Sequence, residues 1–201
     1  MEQQIKSELT QKLIVDKASG LFYQNGFQAT GIPEIMKTTN LSRGAFYHHF
    51  KNKSEVCLAV IGKSLQQRIY DSMICPLLKN EGNAVEILKE VFIVRIRSFS
   101  THEKQLGCPV NNLINEIGDK ESACRSALRQ IIEEWKEALI TFIEEGKQKG
   151  EMSAGVNSAA AATFLISAFE GIRGIRKLYN DDRILEDYLA AVRNYIESFK
   201  N

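Results

Sequence analysis

Apolar residues recur along this chain at the three- and four-residue spacing of α-helices. No pair of alternating runs flanks a hairpin dipeptide, so the sequence predicts an all-α fold. Local stop signals divide it: Asn25-Gly26 ends the first segment, and Pro76 should kink or end a longer one. The predicted helices are residues 7–25, 32–39, 43–50, 53 to about 76, a segment marked by 88–99, a short helix from Pro109, 120–149, and two last segments marked by 161–175 and 185–199.

The last two segments carry the most regular pattern. Their apolar residues step by three and four in alternation, and further apolar side chains such as Phe164 and Leu178 lie beside that seam. A helix that is apolar on two sides needs two sets of neighbours. A second copy of the chain would supply them, and a well-packed core within one chain is the alternative. The residues predicted to form a homodimer interface are Ala161, Leu165, Ala168, Ile172, Ile175, Leu185, Tyr188, Val192, Tyr195 and Phe199.

Composition limits the class of protein more than charge does. Of 201 residues, 44% are hydrophobic, 25% are charged and three are proline, which excludes disorder and allows long helices. The net charge is +1, and positions 1–56 hold seven Lys and Arg against five Asp and Glu. The four cysteines form no C-x-x-C pair, and no apolar stretch is long enough to span a membrane. We expect a reduced, cytoplasmic protein without a cofactor or a bound metal.

Segments 32–39 and 43–50 predict a helix-turn-helix. Such a motif needs a tight turn, a capped second helix and apolar residues that fix the angle between the helices. Asn40 tolerates a left-handed turn, and Ser42 is placed to cap the second helix. Arg43 can donate two parallel hydrogen bonds to a guanine edge, and Gly44 allows close backbone approach. The residues predicted to lock the two helices are Ile35, Leu41, Ala45, Phe46 and Phe50.

The stretch 13–60 resembles the DNA-binding domain of TetR/AcrR-family transcriptional regulators. Asn40 stands where that family usually has glycine. The resemblance implies a helix-turn-helix domain at 1–52 and an effector-binding and dimerisation domain at 53–201. It also implies a homodimer that binds a palindromic double-stranded DNA operator, usually as a repressor. The motifs that carry it are Phe22-Tyr-Gln-Asn-Gly-Phe27, Ala29-Thr30, Glu34-Ile35, Leu41-Ser-Arg-Gly-Ala-Phe-Tyr-His-His-Phe50 and Lys53-Ser-Glu55.

The resemblance further implies which residues touch DNA and how binding is controlled. A small-molecule effector bound in the second domain would move the helix that starts at Lys53, respace two recognition helices and release the operator. The implied phosphate contacts are Thr30, Tyr47, His49 and Lys53, and the implied major-groove residues are Ser42, Arg43, Gly44 and His48.

The segment from Gly107 to Glu116 resembles a Gly-Cys-x-x-x-Asn-x-x-x-Glu stretch in one branch of that family. Cys108 precedes Pro109 and is expected at a helix N-terminus, where free amide groups favour a thiolate. Arg173 and Lys177 are candidate cations near it. Two hypotheses stay open: Cys108 senses an oxidant or electrophile, or it is a small residue beside an apolar pocket. The residues predicted to line an effector pocket are Phe92, Arg95, Phe99, Cys108, Trp135, Phe142, Phe164 and Phe169.

Other classes of protein fit this sequence less well. It contains no H-E-x-x-H, no G-x-S-x-G and no Gly-rich phosphate loop, so we do not expect an enzyme. A Cys-dependent enzyme that pairs Cys108 with His102, in a predicted loop, is a remote alternative. An interaction module that no longer binds DNA is another, and the retained Arg43, Tyr47 and Lys53 argue against it.

Overall fold

The computed structural model of the protein describes residues 2–79, 81–117 and 121–201. All regular secondary structure in these ranges is helical, which confirms the predicted fold class. No helix in the same ranges combines the length and the hydropathy needed to cross a membrane. The helices are α1 (Glu2–Asn25), α2 (Ile32–Thr39), α3 (Arg43–His49), α4 (53–79), α5 (84–97), α6 (Thr101–Leu106), α7 (Pro109–Glu116), α8 (Ser122–Gln148), α9 (Ser158–Ile175) and α10 (Arg183–Glu197).

Helices α4 and α5 are interrupted by π-helical turns that the sequence did not predict. In α4 the α-helical parts Lys53–Val60, Gln66–Ile69 and Cys75–Lys79 alternate with the π-helical turns Ile61–Leu65 and Tyr70–Ile74. In α5 the turn Glu90–Val94 separates Ala84–Lys89 from Arg95–Arg97. Of the two predicted effects of Pro76, a kink or an end, the end does not occur, because the wider turn before that residue, closed by Cys75 N–H donating to Tyr70 O, lets the helix continue.

Local capping chemistry explains several helix ends. Asn40 adopts a left-handed conformation (φ 53°) at the end of α2, and the Ser42 side chain accepts a hydrogen bond from Ala45 N (3.2 Å) at the start of α3, as predicted. Helix α6 was not predicted, and it places His102 in a helix instead of a loop. It forms because Ser100 and Glu103 cap each other's backbone N–H groups. The predicted start of α8 at Lys120 lies outside the described residues.

The chain forms two compact units. The first, here called the head unit, comprises Met1–Arg68 and Pro109–Gln130. The second, here called the tail unit, comprises Ile69–Cys108 and Ile131–Asn201. The predicted division at residue 52 therefore does not coincide with the division between compact units, since α7 and the first turns of α8 pack with the helix-turn-helix.

The core of the head unit holds α2 and α3 in a fixed arrangement. Ile35 and Phe46 are completely buried and Phe50 is 4% exposed, while Leu41 and Ala45 are half-buried. All five residues predicted to lock the helix-turn-helix thus lie at least partly inside. Burying aliphatic and aromatic side chains of this size stabilises the arrangement by about 1.5–3 kcal/mol each.

Six of the ten residues predicted to form the dimer interface are buried inside the single chain. The prediction was therefore wrong for those six residues. The same apolar period would also suit a dimer, and sequence alone does not show which partner covers a face. Ala168, Tyr188 and Tyr195 are half-buried and Ile175 is 49% exposed. The six residues already buried within one chain are Ala161, Leu165, Ile172, Leu185, Val192 and Phe199.

Candidate DNA-binding and effector sites

One face of α3 is open to solvent and carries most of the residues predicted to contact DNA. Arg43, Gly44, Tyr47 and His48 are exposed, and the Arg43 guanidinium lies 5.7 Å from the centre of the Tyr47 ring. His49 is half-buried beside His48. Burial, and to a lesser degree the charge of His48, lower the pKa of His49. This face offers guanidinium, hydroxyl and imidazole donors side by side.

Thr30 does not join that face. Its side chain is completely buried, and its hydroxyl donates a hydrogen bond to Gly26 O (2.8 Å). The predicted phosphate contact of this hydroxyl is therefore wrong. Thr30 instead closes the turn between α1 and α2, where a buried hydroxyl without a partner would be costly.

Lys53 is half-buried and holds the start of α4 to the α1–α2 loop. Its Nζ donates to Phe27 O (2.8 Å) and lies 3.4 Å from Gln28 O. The same ammonium lies 4.3 Å from the centre of the Phe27 ring. Because an ammonium has three donors, one N–H remains for a phosphate oxygen.

Glu116, the last residue of α7, is hydrogen-bonded to the same α1–α2 loop. Gln28 N donates to Glu116 Oε2 (2.8 Å), and Gln28 Nε2 donates to Glu116 O (3.0 Å). Gly26 has a left-handed backbone (φ 89°), and a Cβ there would lie 2.8 Å from Glu116 Oε1. Glycine is thus required both for its conformation and for this contact. Sequence reasoning missed the contact because its partners lie 88 residues apart.

The other end of α7 follows directly on Cys108 in the tail unit. The Arg173 Nη2 donates to Gly107 O (2.9 Å), and a Cβ on Gly107 would lie 2.8 Å from Lys177 Cδ. Both candidate cations thus lie against Gly107, the residue before Cys108. Cys108 itself is 2% exposed.

A buried carboxyl group lies beside Cys108. Burial raises the pKa of Glu170, and the charge of Arg173 and the Cys108 thiol oppose this rise. Burial, and secondarily Glu170, also raise the pKa of Tyr188. Within the described residues, neither carboxylate oxygen of Glu170 nor the Tyr188 hydroxyl has a partner with full hydrogen-bond geometry.

The aromatic residues predicted to line a pocket form packed core. Phe92, Trp135 and Phe169 are at most 1% exposed; ring centres lie 6.2 Å apart for Phe92 and Trp135 and 5.9 Å apart for Trp135 and Phe169. Phe142 is also buried. Phe164 is 48% exposed and lies against Tyr195, 4.4 Å between ring centres, so it does not belong to this packed core.

Two other predicted residues do border open space. Phe99 lines a void of about 10 Å³, too small for a ligand. Arg95 lines a cleft of about 260 Å³ together with Asp71 and Glu90. A second cleft, of about 360 Å³, shares Asp71, Glu90 and Val91 with the first. We call the two together the α4–α5 groove.

The walls of the α4–α5 groove include the π-helical turns of both helices. Asp71 and Ser72 lie in Tyr70–Ile74, and Glu90, Val91 and Val94 lie in Glu90–Val94. π-Helical turns often occur at functional sites. They leave no clear signal in a hydrophobic pattern, so the sequence identified Arg95 but not the groove around it.

Comparisons with known proteins show which families and relatives this chain is similar to. Residues 14–60 match the family described as "Bacterial regulatory proteins, tetR family", and residues 84–192 match "Tetracyclin repressor-like, C-terminal domain". The chain is 28% identical over 153 residues to the transcriptional regulator AcuR of Cereibacter sphaeroides, covering 74% of this chain and 67% of that protein. It is 24% identical over 188 residues to the transcriptional repressor NemR of Escherichia coli, covering 93% of this chain and 94% of that protein.

Solved structures show the same fold. A regulatory protein TetR from Rhodobacter sphaeroides superposes with a TM-score of 0.81 at 24% identity, covering 95% of this chain and 99% of that one. The reduced form of E. coli NemR superposes with a TM-score of 0.79 at 22% identity, covering 92% and 96%. The family matches take in both the helix-turn-helix and more than half of the chain beyond it. This chain belongs to the TetR family of bacterial transcriptional regulators.

Proposed function

We propose that this regulator binds a palindromic DNA operator as a homodimer and is released by a small polar effector. The observation that carries the proposal is the open face of α3, where Arg43, Gly44, Tyr47 and His48 are all exposed on a capped helix. A guanidinium on such a helix can read guanine in the major groove. Ser42 and His49 flank this face, and Lys53 keeps one donor for phosphate.

The second copy is expected on exposed apolar side chains of α9 and of the turn Arg176–Leu178 that follows it. Phe164 and Ile175 are 48% and 49% exposed, and Leu178 is 84% exposed. Large apolar side chains clustered on a surface favour association with another protein. A twofold dimer would bring two α3 helices to half-sites about 34 Å apart, one turn of B-DNA.

Control of DNA binding is proposed to act through α4 and α7. An effector in the α4–α5 groove would contact α4, which begins four residues after α3 and is tied by Lys53 to the α1–α2 loop. Asp71 and Glu90 favour donor groups on the effector, and Arg95 favours an acceptor. The loss of DNA affinity then equals the difference in the free energy of effector binding between the DNA-bound and the DNA-free protein, typically 1–3 kcal/mol.

The test is fluorescence anisotropy with a duplex taken from upstream of the protein's own gene. Arg43→Ala should weaken operator binding by about 1–3 kcal/mol, since a bidentate base contact is lost. Arg43→Lys is the matched control: it keeps the charge but loses the fork, so it should retain salt-dependent binding to random DNA and lose operator preference. If both variants bind the operator like the wild type, α3 is not the recognition helix.

A second candidate function is redox or electrophile sensing by Cys108 within the same regulator. It is favoured by the position of Cys108 directly before α7, whose other end holds the α1–α2 loop through Glu116. Arg173 and Lys177 supply positive charge close to Gly107. Mapping with iodoacetamide at neutral pH should then show Cys108 reacting faster than the half-exposed Cys75. Equal or slower reaction rules out the sensor.

A further inference from the structure

Cys57 and Cys124 are two buried thiols of the head unit. Cys57 lies in the second turn of α4 and is completely buried; Cys124 lies in the first turn of α8 and is 1% exposed. Cys124 Sγ donates to Ser54 O (3.6 Å), and Ser54 lies one helical turn before Cys57 on α4, so the two buried thiols are neighbours. The DNA-reading function leaves both thiols without a role.

We propose that Cys57 and Cys124 are a redox site that a hydroperoxide converts to a reversible disulfide. The site joins α4, which follows the recognition helix, to α8. A disulfide needs Cβ atoms about 3.5–4.5 Å apart, and two neighbouring buried thiols on α4 and α8 are the starting point for that geometry. In a reduced compartment such a bond forms only on oxidation, which suits a signal.

The arrangement also sets the order of events. The hydrogen bond from Cys57 lowers the pKa of Cys124, whereas that bond and burial raise the pKa of Cys57. Cys124 also lies in the first turn of α8, where free backbone N–H groups favour a thiolate, so we assign it as the first nucleophile and Cys57 as the resolving thiol. Both thiols are buried, so the reaction requires a local opening, and we expect it at the first turn of α8 because helix ends open at lower free energy than their interiors.

The reaction balances with the hydroperoxide as the only oxidant. The Cys124 thiolate attacks the terminal oxygen of the hydroperoxide, and the O–O bond breaks. Cys124 becomes a sulfenic acid, and the departing oxygen takes up the proton that the thiol lost and leaves as an alcohol (or as water, from hydrogen peroxide). The Cys57 sulfur then attacks the Cys124 sulfur, the S–S bond forms, and the S–O bond breaks to release water. Two thiols and one hydroperoxide thus give one disulfide, one alcohol and one water.

The experiment is mass spectrometry of the full chain after treatment with hydrogen peroxide. We expect the intact mass to fall by the mass of two hydrogen atoms. We also expect a crosslinked peptide pair that contains Cys57 and Cys124, and full reversal of both changes by dithiothreitol. The Cys75→Ser/Cys108→Ser double variant should behave in the same way. Adding Cys57→Ser to it should leave an oxidised Cys124 without a crosslink, and the wild-type peptide map stands if that variant does not fold.

Three results would overturn the site: no mass loss under conditions that oxidise the unfolded chain, a crosslink that uses Cys75 or Cys108, or crosslinks between chains only. None of these bears on operator binding by the reduced protein, so failure of this site is distinguishable from failure of the proposed function. A positive result should be accompanied by a higher Tm for the oxidised form, since the bond restricts the unfolded chain.

Discussion

Replacing Lys53 by methionine separates the structural role of this residue from its proposed contact with DNA. Methionine keeps an unbranched stem of similar length but removes the ammonium that donates to Phe27 O at 2.8 Å and lies 4.3 Å from the Phe27 ring. The hydrogen bond is part-buried, so we take the lower end of the range for a charged donor, about 1.5 kcal/mol. The cation–π contact adds about 0.5 kcal/mol.

The expected loss of stability is therefore about 2 kcal/mol, which lowers Tm by roughly 4–8 °C in a chain of this size. Differential scanning fluorimetry in the absence of DNA measures it. The matched control is Lys51→Met, an exposed residue of the same charge two positions earlier, for which a change of at most about 0.5 kcal/mol is expected.

The same variant tests the phosphate contact. If the third N–H of Lys53 binds a phosphate in each half-site, Lys53→Met should reduce the slope of log K against log salt by about 0.9 per contact. An unchanged Tm would refute the contact with Phe27, and a lower Tm with an unchanged salt slope would show that Lys53 is structural only.

Three further predictions concern other parts of the molecule. Glu116→Ala should leave the fold intact, lower Tm by a few degrees in thermal melts and change operator affinity, since the grip on Gln28 is lost; unchanged affinity would exclude α7 from the coupling. Glu170→Gln should make the protein more stable at neutral pH. The raised pKa of Glu170 means that the folded state retains a proton that the unfolded state gives up, so the stability of the wild type falls as pH rises from the ordinary glutamate pKa through the raised one. Urea titrations of the variant at a series of pH values should lack that fall. Leu178→Asp should shift sedimentation toward single chains, and an unchanged oligomeric state would place the dimer contact elsewhere.

The helix-turn-helix was predictable because its signals are local. Turn and cap residues such as Asn40 and Ser42 act within three or four positions of themselves, so their sequence pattern determines where α2 ends and α3 begins. The exposure of Arg43 and Tyr47 follows from the same short period, since the opposite side of α3 is fixed by Phe46.

The tail unit was less predictable because its features depend on contacts distant in sequence. The period of α9 and α10 predicts that Leu165 and Val192 are buried, but not that the covering side chains belong to the same molecule. The grip of Glu116 on the α1–α2 loop and the burial of Glu170 depend on tertiary packing that no local pattern encodes.

Sedimentation velocity with a fluorescent operator duplex tests the central claim most directly. The reduced protein at micromolar concentration should sediment as a dimer and bind the palindrome as two chains per duplex, and Arg43→Ala should remain dimeric while losing the complex. A protein that stays a single chain, or that binds one chain per duplex regardless of the palindrome, would contradict the account.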